Sequence, residues 1–273
     1  MTGTLVPATA LDLPDLAALF TACFADYAVP MQMDEPALRG HVENNGIDLD
    51  CSRVVVEDRP AAFALIALRG DAAWVGGMGT VTPERRRGLG TSALVSGIEA
   101  ARERGCRGLW LEVIDGNEPA ARLYAKLGFE VQRELIVWSL PAAGNDPPPA
   151  RPVGPDTAHG WIVANRRSRE PWQRADDTLA NMRASGADLH GLVVERDGGV
   201  SAAVVFRESQ GKVTVLQTAA GEEASAADAL LAASGGQHDL RLANVPPDQM
   251  ASQALRSLHA QVVVTQHEMR LRL

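Results

Sequence analysis

A glycine-rich loop carrying three arginines is the part of this sequence that most directly indicates chemistry. It reads VTPERRRGLGTSAL at residues 81–94 and lies between an apolar run typical of a strand and an amphipathic run typical of a helix. Gly88 and Gly90 let the backbone approach an anion closely, and the N–H groups that open the helix point at it with the positive end of the helix dipole. The loop also carries three consecutive cations: Arg85, Arg86 and Arg87. The pattern R-x-x-G-x-G therefore predicts a phosphate-binding loop.

The composition is that of a globular protein that is acidic overall. Of the 273 residues, 46% are hydrophobic and 22% are charged, which allows a sizeable core. The 34 acidic and 26 basic residues give a net charge of −8, which disfavours a nucleic-acid partner. No apolar run approaches the roughly 20 residues of a membrane span, and no Lys or Arg precedes Arg39 as a signal peptide would require. We therefore expect a cytoplasmic protein with no membrane partner.

The cysteines and histidines carry no metal-binding pattern. Cys23, Cys51 and Cys106 are odd in number and far apart, which is typical of reduced thiols. The six histidines lack a ligand spacing such as H-E-x-x-H. We expect no metal, and the sequence leaves the oligomeric state open.

A proline-rich stretch, residues 141–155, divides the chain almost in half and predicts a stiff, extended linker. We therefore expect a first domain over residues 1–140, a linker over 141–156 and a second domain over 157–273. The predicted elements of the first half are a strand at 5–10, helices at 14–24 and 35–45, strands at 52–57, 61–68 and 72–82, a helix at 91–104, a strand at 108–113, a helix at 118–127, and strands at 130–133 and 135–140.

The second half repeats this order in weaker form. We expect strands at 191–196, 200–208 and 212–218, a helix at 224–233 and a strand at 239–243. The segment that begins at Asn244 is similar to the segment that begins at Asn117, with Leu258 standing where Leu127 stands. The chain therefore contains an internal repeat.

Several motifs of the first half follow one another in a characteristic order. After the loop come the strand GLWLEV, then Asn117, then the pattern A-x-x-L-Y-x-x-L-G-F at residues 120–129. In this combination the sequence resembles the GNAT superfamily of acyl-CoA-dependent N-acyltransferases over residues 4–140. The resemblance implies an α/β (α+β) fold of two GNAT-like domains, each a mixed, mostly antiparallel sheet with a central parallel pair and flanking helices. It also implies acetyl-CoA as the co-substrate.

The resemblance assigns roles to individual residues. The loop would hold the CoA pyrophosphate, and the backbone of the preceding strand would bind the pantetheine arm and polarise the thioester carbonyl. The implied cofactor contacts are Gly79, Thr80, Val81, Arg85, Arg86, Arg87, Gly88, Leu89, Gly90, Thr91, Asn117 and Tyr124. The Gly-rich segment at 76–79 suits a bulge that splays the sheet and admits a thin ligand. A single residue, Glu84, separates Pro83 from the arginines, so we expect a tight loop.

Two residues are candidates for proton transfer. The resemblance implies that Tyr124 is the general acid that protonates the CoA sulfur. Glu112 is the candidate base, because it interrupts a buried apolar strand where desolvation would raise its pKa. The spacing of Glu112, Asn117 and Tyr124 also resembles the ribosomal-protein N-terminal acetyltransferases of this family. Other possible bases are a water chain or a residue of the first helices: Asp26, Asp34 or Glu35.

In the second half the corresponding features are missing. The loop is replaced by GEEAS at residues 221–225, whose two carboxylates would repel a pyrophosphate. The position of the acid tyrosine holds Ala254 and Leu255. The second half is therefore interpreted as a degenerate GNAT-like domain with a structural role.

The first hypothesis is an N-acetyltransferase that transfers the acetyl group of acetyl-CoA, by direct attack, to a primary amine of a small cationic molecule. Alternatives are a non-catalytic acyl-CoA sensor and an enzyme that acetylates a protein N-terminus or a lysine. Because a sensor needs neither Tyr124 nor Glu112, their presence favours catalysis. A cationic acceptor is predicted because residues 1–58 hold ten acids against two bases. The ten acids are Asp12, Asp15, Asp26, Asp34, Glu35, Glu43, Asp48, Asp50, Glu57 and Asp58; the expected apolar lining is Phe20, Phe24, Tyr27, Met31 and Met33.

Overall fold

The structure is a computed structural model that describes residues 3–26 and 31–273. Within these ranges the helices are α1 (Leu13–Phe24), α2 (Glu35–Asn45), α3 (Leu89–Glu103), α4 (Glu118–Lys126), α5 (Pro155–Asn165), α6 (Asp176–Ala184), α7 (Glu223–Ser234) and α8 (Met250–Ser257). The strands are β1 (Thr4–Pro7), β2 (Ile47–Val56), β3 (Pro60–Arg69), β4 (Ala72–Thr80), β5 (Gly108–Ile114), β6 (Glu130–Leu140), β7 (Arg151–Val153), β8 (His190–Arg196), β9 (Gly199–Ser209), β10 (Lys212–Ala220), β11 (Asp239–Val245) and β12 (Gln261–Arg272).

The chain forms two compact units, and the last strand of each sequence repeat belongs largely or partly to the other unit. The N-terminal unit consists of Met1–Val113, Asn117–Gln132 and Glu268–Leu273. The C-terminal unit consists of Ile114–Gly116 and Arg133–His267. Most of β6 therefore belongs to the C-terminal unit, while the end of β12 belongs to the N-terminal unit. The predicted boundaries, 1–140, 141–156 and 157–273, follow the repeat and do not include this exchange of last strands.

The N-terminal unit is a mixed sheet with helices packed on it. Its strand order is β1-β2-β3-β4-β5, followed by the end of β12. Neighbours from β1 to β4 are antiparallel, and β4 and β5 form a parallel pair. The core joins β5, α3 and Tyr124 of α4 to Met269 and Leu271 from the end of the chain. The expected fold class, with its central parallel pair, is confirmed.

Local sequence signals set the ends of the helices in this unit. Asp12 accepts a hydrogen bond of 2.9 Å from the Asp15 N–H at the start of α1, and Asp34 accepts one of 2.8 Å from the Ala37 N–H at the start of α2. Gly46 ends α2 with a φ of 68°, a backbone conformation that favours glycine. The predicted limits of α2 are confirmed.

The C-terminal unit repeats this architecture. Its strand order is β6-β11-β10-β9-β8-β7, with β10 and β11 parallel. Trp138 and Leu140 of β6 pack in its core with α7 and α8. Leu258 occupies the C-terminal cap of α8, as Leu127 does in α4, so the predicted correspondence of these two leucines is confirmed.

Several sequence-based expectations about elements are wrong. The first strand ends at Pro7, and a short 3-10 helix follows at Ala8–Ala10. The two strands expected after α4 are one continuous strand, β6. The two similar segments differ at their starts, since Asn117 caps α4, whereas Asn244 lies in β11 and α8 begins only at Met250.

The proline-rich stretch is not entirely a linker. Its end contains β7, which pairs antiparallel with β8, and the first residue of α5. The sequence pattern does not predict the helices α5 and α6. Three-residue strands are stabilised by their distant partner and leave no local pattern, which is why β7 was missed. No helix in residues 3–26 and 31–273 is both long and apolar enough to cross a membrane.

Because the exchanged end of β12 fills the core of the N-terminal unit, it should be essential for that unit's stability. Met269 is 4% exposed. We expect Met269→Ala to lower the free energy of unfolding by about 2–5 kcal/mol, through lost burial and the cavity left behind. Denaturant unfolding would measure this loss. The matched control on the same strand is Val262→Ala, since Val262 is 51% exposed. Equal stability of the two variants would contradict the assigned role of the strand end.

Candidate active site

The parallel strands β4 and β5 separate part of the way along their length. They pair from Ala72 and Gly108 as far as Trp74 and Trp110. The separation coincides with a bulge in β4, where Gly76 is an extra residue between the pairs Val75–Ile66 and Gly77–Leu65. The bulge predicted from the Gly-rich segment is thus confirmed, and beyond it the edge of β4 is no longer paired with β5.

Glycine is required in this part of β4 because neighbouring side chains lie very close. A Cβ atom at Gly76 would stand 2.9 Å from Ile47 Cδ1, and one at Gly79 would stand 2.6 Å from Cys23 Cβ. Real Cβ atoms essentially never approach so closely. A larger residue at Gly76 would therefore displace Ile47 of β2, and one at Gly79 would push α1 off the strand.

The predicted phosphate loop opens α3 as expected. Gly88 precedes α3 with a φ of 81°, and no side chain caps this helix. In contrast, Asp12, Asp34 and Asn117 each cap their own helix through a side-chain oxygen. The first N–H groups of α3 therefore have no side-chain acceptor and, with the helix dipole, can meet an anion.

A cavity of about 580 Å³ connects this loop with the unpaired edge of β4. The predicted site residues that line it are Gly79, Thr80, Arg85, Arg86, Gly88, Leu89, Gly90, Thr91 and Asn117, together with Phe24 of the expected apolar lining. Further lining residues are Met78 of the Gly-rich segment, Ala120 and Leu123 of the motif at 120–129, and Cys23 and Pro119, for which the sequence offers no specific signal. Of the predicted cofactor and proton-transfer residues, Val81, Arg87, Glu112 and Tyr124 are outside this lining.

Two of the three loop arginines bind carboxylates of the protein itself. Arg85 donates to both oxygens of Asp26, at 2.8 and 2.6 Å, and to the Cys23 and Thr80 carbonyls. Arg87 donates to both oxygens of Glu57, at 2.7 and 2.8 Å, and also contacts Glu84.

These contacts redistribute the charge of the loop. The Arg85 guanidinium holds the pKa of Asp26 below its usual value. Arg86 adopts a φ of 64°, which is uncommon for a residue with a side chain and is consistent with the tight loop expected around Glu84. Three carboxylates thus offset the three arginines, so the helix N-terminus supplies much of the local attraction for an anion.

Tyr124 and Glu112 lie on opposite faces of β5. Tyr124 is 7% exposed and packs in the core with Leu111 and Val113, with its ring 5.8 Å from that of Phe129. Glu112 alternates with these strand residues, and its Oε2 accepts a hydrogen bond of 2.8 Å from Trp74 Nε1. The two candidates for proton transfer therefore lie on the two faces of the sheet at β5, and neither lines the cavity.

The other candidate bases are engaged in structural contacts. Asp26 pairs with Arg85, Asp34 caps α2, and Glu35 pairs with Arg39 at 2.7 Å. Burial raises the pKa of the Cys23 thiol to about 12, so this cavity residue stays protonated near neutral pH and is a poor nucleophile. No group of three or more His, Cys, Asp or Glu side chains in the described ranges could hold a metal.

The equivalent region of the C-terminal unit is built differently. The parallel pair Lys212–Asp239 corresponds to Ala72–Gly108, and counting along each strand places Ala243 at the position of Glu112. Leu255 stands three residues before the helix cap, as Tyr124 does.

An arginine bridges the two parallel strands of the C-terminal unit. Arg174, which is 4% exposed, donates from Nε to the Leu216 carbonyl of β10 at 3.1 Å and from Nη1 to the Asn244 carbonyl of β11 at 3.4 Å. The nearby cavity has a volume of only about 210 Å³. Glu222 and Glu223 lie at the start of α7, where the first unit has its predicted phosphate loop.

Comparison with known proteins identifies the N-terminal part of the chain. Residues 14–129 match the model of the acetyltransferase (GNAT) family. The mycothiol acetyltransferase of Acidimicrobium ferrooxidans is 45% identical over 64 residues, which cover 22% of this chain and 21% of that protein. The [ribosomal protein bS18]-alanine N-acetyltransferase of Salmonella typhimurium is 38% identical over 77 residues, which cover 28% of this chain and 52% of that protein. The matched stretches thus span about half or less of these curated relatives.

Solved structures share the fold over the whole chain. A GCN5-related N-acetyltransferase from Sphaerobacter thermophilus has a TM-score of 0.76 at 18% identity and covers 99% of this chain and 95% of its own. A tandem GNAT protein from the clavulanic acid biosynthesis pathway has a TM-score of 0.71 at 15% identity, covering 99% and 98%. Residues 14–129 of this chain therefore form a GNAT acetyltransferase domain, and the chain shares its fold with a tandem GNAT protein.

Proposed function

We propose that this protein is an acetyl-CoA-dependent N-acetyltransferase that acts on a primary amine. The observation that carries the proposal is the single cavity that joins the unpaired edge of β4 to the open N-terminus of α3. A pantetheine arm could follow the edge of β4 at Met78, Gly79 and Thr80, where the Thr80 carbonyl already accepts from Arg85 Nε, while the pyrophosphate meets the N–H groups that follow Gly88.

The backbone contacts of Val81 indicate that it contributes less to binding the acyl arm than the sequence predicts. Its N–H donates to the Ala61 carbonyl at 2.9 Å, and its carbonyl accepts from the Glu84 N–H at 2.9 Å. Both groups are therefore already used within the protein. Direct binding of the acyl arm is better supported for Gly79 and Thr80, which line the cavity.

The proposed reaction is direct attack of the amine on the thioester carbon. Glu112 accepts a proton from the ammonium form, and the neutral nitrogen forms the new C–N bond. The nitrogen of the tetrahedral intermediate releases its second proton to solvent, the C–S bond breaks, and Tyr124 gives its phenolic proton to the departing sulfur. The products are the N-acetylated amine and free CoA, and solvent returns the proton from Glu112 to Tyr124.

The amine character of the acceptor has better support than its positive charge. The name of the Salmonella relative specifies N-acetylation of an alanine. Of the ten carboxylates in residues 1–58, seven have a partner or a capping role: Asp12, Asp26, Asp34, Glu35, Asp48, Asp50 and Glu57. Four of them, Asp26, Glu35, Asp48 and Glu57, pair with arginines, so the acidic excess that suggested a cationic acceptor is partly offset.

The expected apolar lining is only partly available to an acceptor. Phe20 is 3% exposed, and its ring stacks on those of Phe24 and Phe63 at 4.8 and 5.2 Å. It therefore belongs to the core. Tyr27 lies outside the described residues.

A protein acceptor is the second candidate, favoured by the relative that acetylates a ribosomal-protein alanine. A panel of small amines and of peptides with N-terminal alanine, with thiol detection of released CoA, would separate the two. Wells without acceptor measure thioester hydrolysis. If no acceptor in the panel raises the release of CoA above this background, the proposed N-acetyltransferase activity is contradicted.

One acetyl-CoA should bind per chain, at the α3 loop. We expect Gly88→Ala to weaken this binding by roughly 10-fold or more, because a Cβ atom is unfavourable at a φ of 81° and occupies the space where the backbone meets the anion. Calorimetry would measure affinity and stoichiometry. Gly105→Ala is the matched control, since Gly105 follows the same helix with a φ of 82° and a Cβ atom added there would meet nothing within 4 Å. Two sites per chain, or equal affinities of the two variants, would refute this assignment.

Tyr124→Phe should lower kcat by roughly 10- to 10⁴-fold and leave the Kd for acetyl-CoA nearly unchanged. The hydroxyl acts on the leaving thiolate, whereas the ring, which packs on Phe129, is retained. Steady-state kinetics and calorimetry on the same preparation would test both parts. Full activity of the variant across the pH range would assign Tyr124 to packing alone.

Glu112→Gln should reduce kcat/KM less than Tyr124→Phe does and flatten the acidic limb of its pH profile. The amide keeps an oxygen that can accept from Trp74 but cannot take a proton from the amine. The pH dependence of kcat/KM for variant and wild type would provide the measurement. An unchanged acidic limb would point to a water chain instead of Glu112.

A further inference from the structure

His41 of α2 contacts the carbonyl group at the β4 bulge. Its Nε2 donates to the Gly76 carbonyl oxygen at 2.8 Å. Gly76 is the extra residue of the bulge, so it falls between the two neighbouring pairings of β4 with β3. A partly buried carbonyl that leaves the strand ladder needs another donor, and His41 supplies it.

The surroundings of His41 fix its protonation. Because a carbonyl can only accept, Nε2 must carry the hydrogen. Asn45 Nδ2 lies 3.2 Å from Nδ1 and 3.0 Å from the His41 carbonyl, so it is a donor and Nδ1 must accept. Burial lowers the pKa of His41, although the hydrogen bond to Gly76 acts in the opposite direction. The imidazole is therefore a neutral donor whose lone pair is already in use, which makes it unsuitable as a general base.

The imidazole ring also contacts the residue that orients Glu112. Its centroid lies 6.1 Å from that of Trp74 in an edge-to-face arrangement, and 6.4 Å from that of Phe20. Trp74 in turn donates its indole N–H to Glu112 at 2.8 Å. One side chain thus supports both the bulge of β4 and the donor to the candidate base.

The C-terminal unit solves the same problem with a different residue. Leu216 is the extra residue of the β10 bulge, between Val215 and Gln217, and its carbonyl accepts from Arg174 Nε at 3.1 Å. Arg174 lies in a short 3-10 helix before α6, whereas His41 lies on α2. The two units therefore share a side-chain donor at the bulge carbonyl of the first parallel strand, but not the type of residue that provides it.

We propose that His41 is a positioning residue for acetyl transfer, which acts by holding the Gly76 carbonyl and the Trp74 ring. This inference rests on the proposed function. The stretch Met78–Thr80 that would carry the acyl arm follows the bulge directly, so loss of the His41 contact should displace the thioester relative to Glu112. The α3 loop, which would bind the pyrophosphate, is held by other residues and should keep its affinity for CoA.

Two substitutions separate the hydrogen bond from the volume of the ring. We expect His41→Phe, which keeps a ring but loses the donor, to lower kcat by roughly 10- to 100-fold while the Kd for acetyl-CoA changes by less than about 3-fold. His41→Gln, whose amide Nε2 can donate to the same carbonyl, should restore most of kcat. Because the native imidazole does not titrate in the reaction, His41→Gln should also keep the wild-type pH profile of kcat/KM.

Each alternative gives a different result. A loss in His41→Gln as large as that in His41→Phe would overturn the donor role, and a pH profile changed by His41→Gln would indicate that His41 is itself the base. If kcat in His41→Phe falls only as far as its folded fraction, determined by thermal unfolding, the role is purely structural and the proposal fails.

A second measurement keeps this test independent of the acceptor. Amide hydrogen exchange of the β4 segment should accelerate in His41→Phe and remain near the wild-type rate in His41→Gln. If no amine is acetylated by the wild type, the proposed function fails, while the exchange comparison still decides whether His41 holds the bulge. Equal exchange in all three proteins would overturn the inference.

Discussion

The separation of two parallel strands is the constraint on which the site depends. A parallel pair normally continues its ladder of hydrogen bonds, and leaving it early exposes backbone groups that need other partners. Here the extra residue Gly76 turns β4 away from β5 after Trp74, and the freed edge faces the cavity. The glycines of β4, the helix α1 packed on them and the donor from His41 all lie at this separation.

The two units show that the same architecture can be stabilised with and without an open site. In the N-terminal unit the strands part beside a cavity of about 580 Å³. In the C-terminal unit the guanidinium of Arg174 bridges the two strands at their bulges, and Ala243 and Leu255 replace the candidate proton-transfer residues. Polar backbone groups are satisfied in both cases, by an internal side chain in one and, as we propose, partly by a bound acyl arm in the other.

The attraction of the loop for an anion depends more on the backbone N–H groups at the start of α3 than on the number of arginines. Arg85 ties the end of α1 to the end of β4, and Arg87 ties the loop to Glu57 of the segment after β2. An ion pair fixed in this way orients the loop but adds little net charge. The uncapped start of α3 is independent of these pairs and remains directed at the cavity.

The sequence by itself determined the features that depend on neighbours in the chain. Caps such as Asp12, Asp34 and Asn117, the glycine at the start of α3 and the Gly-rich bulge act within a few residues, so their pattern was sufficient to place the elements and the loop. Only the tertiary structure decided which distant groups meet. Arg85 finds Asp26 59 residues away, and His41 reaches Gly76 35 residues away. The ends of β6 and β12 pack in each other's expected unit, because strands of similar pattern are distinguished by long-range packing and not by local propensity.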